Sequence, residues 1–191
     1  HTLLNRTTPA AALALGVQVD VDKVPPDVAA LLRGTDLAAK GAALANPVIT
    51  QRLVKAGAVV GVKGFYRNPA DPDDITMTRA GITCALCHVK VAKTQFELGA
   101  GRSLLPIGKL NVDGAPNDEM NAGALLALSP FAVNAGQATV ALLNSWGPGR
   151  FDIRALPDNP LDDGVNNPTA NPPIWNFVDL GEREYLFGWD G

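Results

Sequence analysis

The chain has 191 residues, of which 47% are hydrophobic and 18% charged, with a net charge of −3 and a pI near 5.3. The apolar content is enough for a packed core and excludes wholesale disorder. The mild acidity excludes nucleic acid as a main partner, because phosphate binding needs clustered Lys and Arg.

The 19 glycines and 15 prolines predict long irregular connections. No stretch approaches the roughly 18 apolar residues that a membrane helix needs. The chain opens on His1 with no basic leader region or cleavage pattern, so it reads as a mature or trimmed product. Residues 1–26 read as an N-terminal arm with one short Ala/Leu turn. From Asp27 the pattern turns helical: Val28, Leu31 and Leu32, then Leu37, Ala38, Ala42 and Leu44. Gly34-Thr35-Asp36 supplies a break and an N-cap between two helices, and Pro47 opens a third through Leu53 to Ala56. Ala58 to Tyr66 and Ile75 to Thr78 are β-like runs around the turn cluster Asn68 to Asp74, which predicts a hairpin with a long loop. Leu98 to Asp118 is Gly-rich and irregular. Asn117 or Asp118 is expected to cap a helix carrying Leu125, Leu126 and Leu128 that ends near Pro130, and a last helix is expected from about Gly136 to Asn144. Trp146 to Pro173 reads as a long surface loop, after which Trp175, Phe177, Tyr185, Phe187 and Trp189 mark an aromatic docking tail. No internal repeat of about 20–50 residues is visible.

The only two cysteines stand at Cys84 and Cys87, followed by His88. Cys84-Ala85-Leu86-Cys87-His88 is the CxxCH pattern of covalent c-type haem attachment. Thiols at i and i+3 share one face of a helical turn and can reach the two vinyl groups on one porphyrin edge. The imidazole at i+4 then lies where it can bind iron as the proximal ligand. A zinc site would need two further Cys or His ligands, and only His1 remains. A redox dithiol would need a strand-to-helix context, whereas the preceding segment is rich in Asp and Gly. Two buried apolar cysteines would leave the adjacent His unexplained. The expected cofactor is one covalent haem c. The expected location is periplasmic or extracellular, where c-type maturation normally takes place in bacteria. The expected fold is mainly α, a helical haem domain at 27–145 with a small β-hairpin and long Gly/Pro-rich loops, preceded by the arm at 1–26 and followed by the loop and tail at 146–191.

Four segments carry a family resemblance: GITCALCH (Gly81–His88), LGAGRSLLPIGKLNVDGAPNDEMNAG (Leu98–Gly123), SWGPGRFD (Ser145–Asp152) and PPIWN…YLFGWDG (Pro172–Gly191). Together they resemble the haem domains of the bacterial dihaem cytochrome c peroxidase superfamily, nearest its rubber-oxygenase-like branch. The resemblance runs from about Ala58 to the end and implies a c-type haem domain with a cytochrome c-like fold. That family carries two CxxCH motifs and this chain has one. Its closing GWDG stands where such proteins run on toward a second haem, so it reads as a fragment or partial chain. The two-centre peroxidase mechanism therefore does not carry over.

Function turns on what sits opposite His88, because two strong protein ligands suit electron transfer and an open side suits small-molecule chemistry. The candidates are Met120, Met77, His1, or an open or water-occupied face. Asp118 and Glu119 place Met120 on an expected exposed turn, and packing is the alternative role for either Met. His1 is terminal, where order is rarely kept, and its α-amine also makes it a possible copper chelate. Arg102, Lys109, Arg150 and Arg154 are candidate propionate partners, with solvated surface charge as the alternative. Trp146, Phe151 and Trp175 could pack on a porphyrin or simply fill a core. Asp71–Asp74 could hold calcium, or form a solvated turn. The reading favoured on these grounds is a monohaem electron carrier, or a module of a larger redox complex, with redox proteins or other cytochrome subunits as partners. Two alternatives stand beside it. One is a haem peroxidase or oxygenase, for which Glu119 is a possible substitute for a distal histidine as proton acceptor. The other is a haem-stapled structural subunit.

Overall fold

The computed structural model describes residues 4–92, 97–98, 103–104, 107–108, 110–111, 115–152 and 164–171. The chain divides into two units, one formed by His1–Leu86 with Val91–Leu110 and the other by Cys87–Lys90 with Asn111–Gly191.

The first unit begins with four helices, α1 (Pro9–Ala14), α2 (Pro26–Arg33), α3 (Leu37–Leu44) and α4 (Pro47–Lys55). Three of them start on proline, whose fixed φ and missing N–H suit a first helical position. Side-chain oxygens cap their orphan amides: Thr8 accepts from Ala11, Asp36 from Ala38 and Ala39, and Asn46 from Val48. Helix α1, in the segment read as an arm, packs on α3 and α4. The inner faces bury Val28, Ala29 and Leu32 of α2, Ala43 and Leu44 of α3, and Leu53 and Val54 of α4. Outside the core, Arg52 grips Asp27 through two bonds of 2.8 Å, joining α4 to α2. That guanidinium holds the Asp27 carboxyl below its usual range.

Strand β1 (Val19–Asp20) leads into a 3₁₀ turn, Val21–Lys23, and bridges Val59 through Val19. The expected hairpin forms from β2 (Val62–Tyr66) and β3 (Met77–Ile82), with Val62 opposite Ile82 and an irregularity between Phe65 and Tyr66. Its loop is closed by carboxylates: Asp74 accepts from the amides of Asn68 and Thr76, and Asp71 from Asp73. These oxygens serve the turn itself. Lys55 lies 4.4 Å above the Tyr66 ring, and burial pushes the Tyr66 hydroxyl up to about 12. Farther on, β4 (Lys90–Val91), β5 (Glu97–Leu98), β6 (Ser103–Leu104), β7 (Ile107–Gly108) and β8 (Leu110–Asn111) are each two residues long. They pair as β5 with β6, β7 with β1, and β4 with β8.

Between β3 and β4 lies the four-residue helix α5 (Ala85–His88). The second unit packs α6 (Ala122–Ala127), α7 (Pro130–Ala135) and α8 (Gln137–Asn144) with the antiparallel pair β9 (Arg150–Phe151) and β10 (Thr169–Ala170). Its core is Ala127, Ala132, Leu143 and Trp146, flanked by Leu126, Val140 and Phe151. Asn121 caps α6, not Asn117 or Asp118 as expected. The helix expected to end near Pro130 does so, at Ala127, and Pro130 opens a further helix with Ser129 as its cap. The segment after Trp146, expected to be all surface loop, contributes that buried tryptophan, buried Asp152 and Asn171, and two strands.

The mainly α, cytochrome c-like expectation is thus overturned. Among the described residues, eight helices of no more than nine residues alternate with ten strands in five two-stranded pairings. Proline and glycine punctuate the chain too often for long helices, and the connections satisfy their backbone groups by pairing instead. Among the described residues no helix is long and apolar enough to cross a membrane.

Two glycines test this packing in opposite directions. A Cβ at Gly41, exposed in α3, meets nothing within 4 Å, whereas one at Gly123 in α6 runs into the Leu143 carbonyl of α8. Gly41→Ala should stabilise by about 0.5–1 kcal/mol and Gly123→Ala should destabilise by about 1–3 kcal/mol, both read from urea unfolding midpoints.

Candidate functional site

The Cys84–His88 turn is built from its back. At about 100° of rotation per helical residue, Cys84, Cys87 and His88 fall within one arc, and Leu86 points the opposite way. Burial follows this geometry: Leu86 is 2% exposed, Cys84 is exposed, and Cys87 and His88 are half-buried. Leu86 therefore anchors the turn and leaves the two thiols and the imidazole on the other side. The thiols are not joined to each other.

Backbone contacts hold the turn in place. Thr83 donates its N–H to the Gly61 carbonyl at 2.8 Å, and Leu86 donates to the Thr83 carbonyl at 3.0 Å. Gly61 has φ +75°, and a Cβ there would collide with the backbone N and Cα of Leu86. Glycine is required at this position both by conformation and by space. On the far side of the motif, Gln18 is 1% exposed and accepts from the Val91 amide at 2.7 Å.

The Met120 loop is tied to Cys87. Asn117 donates its backbone N–H to the Cys87 carbonyl at 2.9 Å. The buried Asn117 side chain then accepts from the amides of Glu119 (3.2 Å) and Met120 (3.1 Å), reversing the chain as an Asx turn. Lys90 reaches Asp118 at 2.7 Å. Gly149, with φ +70°, donates to the Met120 carbonyl at 2.8 Å, and a Cβ on it would come within 2.8 Å of the Asp118 carbonyl oxygen. Met120 is 0% exposed. The expectation of an exposed turn holds for Asp118 but is wrong for Met120: the Asx turn folds the methionine inward while its acidic neighbour faces water.

The other sequence candidates separate. Met77 is buried in β3 opposite Tyr66 and belongs to the unit built from His1–Leu86 and Val91–Leu110. Arg150 is exposed on β9. Trp146 and Phe151 meet edge to face, with centroids 5.6 Å apart, and the Trp146 N–H donates to Asn166 at 2.9 Å, so their role is in the core. His1, Arg102, Lys109, Arg154 and Trp175 lie outside the described residues. The sequence pattern did not mark Gly61, Gln18 or Gly149, and it gave Asn117 the role of a helix cap rather than of the Asx turn it makes. The signal for that turn was present in the Asn-Asp-Glu-Met run itself.

This donor set fits a tethered haem: two reachable thiols and an imidazole on one turn whose reverse side is plugged by leucine. Among the described residues no three His, Cys, Asp or Glu side chains converge as a cation site would need. Comparison with protein-family models, with curated proteins and with solved structures found no match to the chain.

Removing the Asn117 acceptor should loosen the Met120 loop selectively. Asn117→Ala should cost about 1–3 kcal/mol and speed hydrogen exchange at the Met120 and Gly149 amides, leaving the Leu53 amide in α4 protected. Unchanged exchange at Met120 would contradict the role given to Asn117.

Proposed function

We propose that the protein is a monohaem c-type cytochrome that transfers electrons, with Cys84 and Cys87 as the covalent tethers, His88 as the proximal iron ligand and Met120 as the distal one. When bound, a haem of this kind supplies an iron that cycles between ferric and ferrous states. Each thiol would add across one vinyl double bond, with sulfur bonding to one carbon and the thiol proton going to the other, so attachment needs no net oxidation. His88 would hold the metal from the same turn, which would couple tether and ligand in one piece.

The observation that carries this reading is the buried Met120 on a loop hydrogen-bonded to the Cys87 carbonyl. A thioether already withdrawn from water, on a loop braced by Asn117 and Gly149, loses little further freedom on binding a metal. Methionine opposite histidine also raises the potential. The same observation weighs against the open-faced peroxidase or oxygenase. The peroxidase-superfamily resemblance enters this proposal only as a c-type haem domain. Redox proteins or other cytochrome subunits are the proposed partners, and the periplasm or cell exterior is the proposed location.

Met120→Leu separates ligation from packing, because the swap conserves volume and costs under about 1.5 kcal/mol of stability. In protein matured with haem, the wild type should be low-spin with the near-infrared band of iron–methionine ligation. The variant should lose that band, fall in midpoint potential and bind carbon monoxide. A wild type that is high-spin and binds carbon monoxide unaided would overturn the carrier reading in favour of an open site.

A further inference from the structure

Three buried polar atoms have no hydrogen-bond partner among the described residues: Asn5 Oδ1, Thr50 Oγ1 and Asn171 Nδ2. Only Asn171 belongs to the unit that holds His88 and Met120. It is 6% exposed, and its backbone N–H donates to the Gly149 carbonyl at 2.9 Å. Gly149 in turn donates to Met120, whose Asx turn donates to Cys87. A continuous backbone run thus links the orphan amide to the motif.

A buried amide donor left unpaired costs roughly 1–3 kcal/mol and is uncommon in native proteins. Its acceptor is not among the described residues. On the haem reading above, the available acceptors are few. The porphyrin ring is apolar apart from its two propionate carboxylates, and its iron is taken by His88 and Met120. We propose that Asn171 is a haem-binding residue whose Nδ2 donates a hydrogen bond to a propionate carboxylate. This rests on the proposed haem attachment and adds to it a contact that no arginine need provide. It also accounts for an amide, rather than an apolar side chain, at a site otherwise closed to water.

The test is Asn171→Leu, which is close in size, keeps the backbone bond to Gly149 and removes the donor. It is made both in haem-loaded protein and in the haem-free Cys84→Ser/Cys87→Ser chain, with intact mass read first. In the loaded protein the unfolding constant should rise roughly tenfold, the cost of stranding a charged acceptor. In the haem-free chain it should be unchanged or fall, because an orphan donor has been removed. Equal effects in the two backgrounds would overturn the role of Asn171 while leaving haem attachment standing. Absence of the added haem mass in the wild type would instead overturn both. Should the leucine variant not fold when loaded, Asn171→Asp decides through the pH dependence of the midpoint potential. Replacing the donor by a like charge should move the propionate-linked inflection to higher pH, and an unmoved inflection would overturn the contact.

Discussion

The seat of a single helical turn on the backbone of Gly61 is the constraint from which the rest of this molecule's chemistry follows. A four-residue helix cannot hold itself together in water, since nucleation fixes several dihedrals for one hydrogen bond. Here it is stabilised from outside: Leu86 fills the space behind it, Thr83 donates to Gly61, and Gly61 lacks the Cβ that would push Leu86 away. Two thiols and an imidazole are thereby presented on one side at fixed spacing. A side chain at position 61 would displace the turn before touching Cys84, Cys87 or His88.

The second constraint is the bracing of Met120. Its burial is produced by hydrogen bonds and not by an apolar neighbourhood in the sequence, since Asp118 and Glu119 precede it. Asn117 spends its side chain on two amides and its backbone on Cys87, and Gly149 closes the loop from the other side. Such a loop holds a soft thioether away from water without consuming it, which is the arrangement that a two-ligand haem asks for. Asp118 serves the surface, where it pairs with Lys90.

What the sequence made legible was local. Helices α2, α3, α4 and α8 follow from apolar spacing with nearby caps or prolines, and the hairpin from β-branched runs around a carboxylate-rich turn. What it hid was either non-local or ambiguous. Strands β5 to β8 are two residues long and owe their existence to partners, so no pattern announces them, and with them went the expectation of a mainly α fold. Pro130 can end a helix or begin one, and Ser129 decides for beginning through its bond to Ala132. Trp146 lies at the head of a Pro/Gly-rich run and is nonetheless core, because its ring meets Phe151 and its N–H finds Asn166. The CxxCH spacing was legible in full. The glycine beneath it and the asparagine that braces its loop became visible only in three dimensions.

The central claim is covalent attachment of one haem at Cys84 and Cys87, and intact-mass spectrometry of protein produced alongside c-type maturation machinery tests it most directly. The expected result is a gain of one haem mass that survives denaturation and disappears in the Cys84→Ser/Cys87→Ser variant. A wild-type chain that emerges from the same cells at its bare polypeptide mass would contradict it.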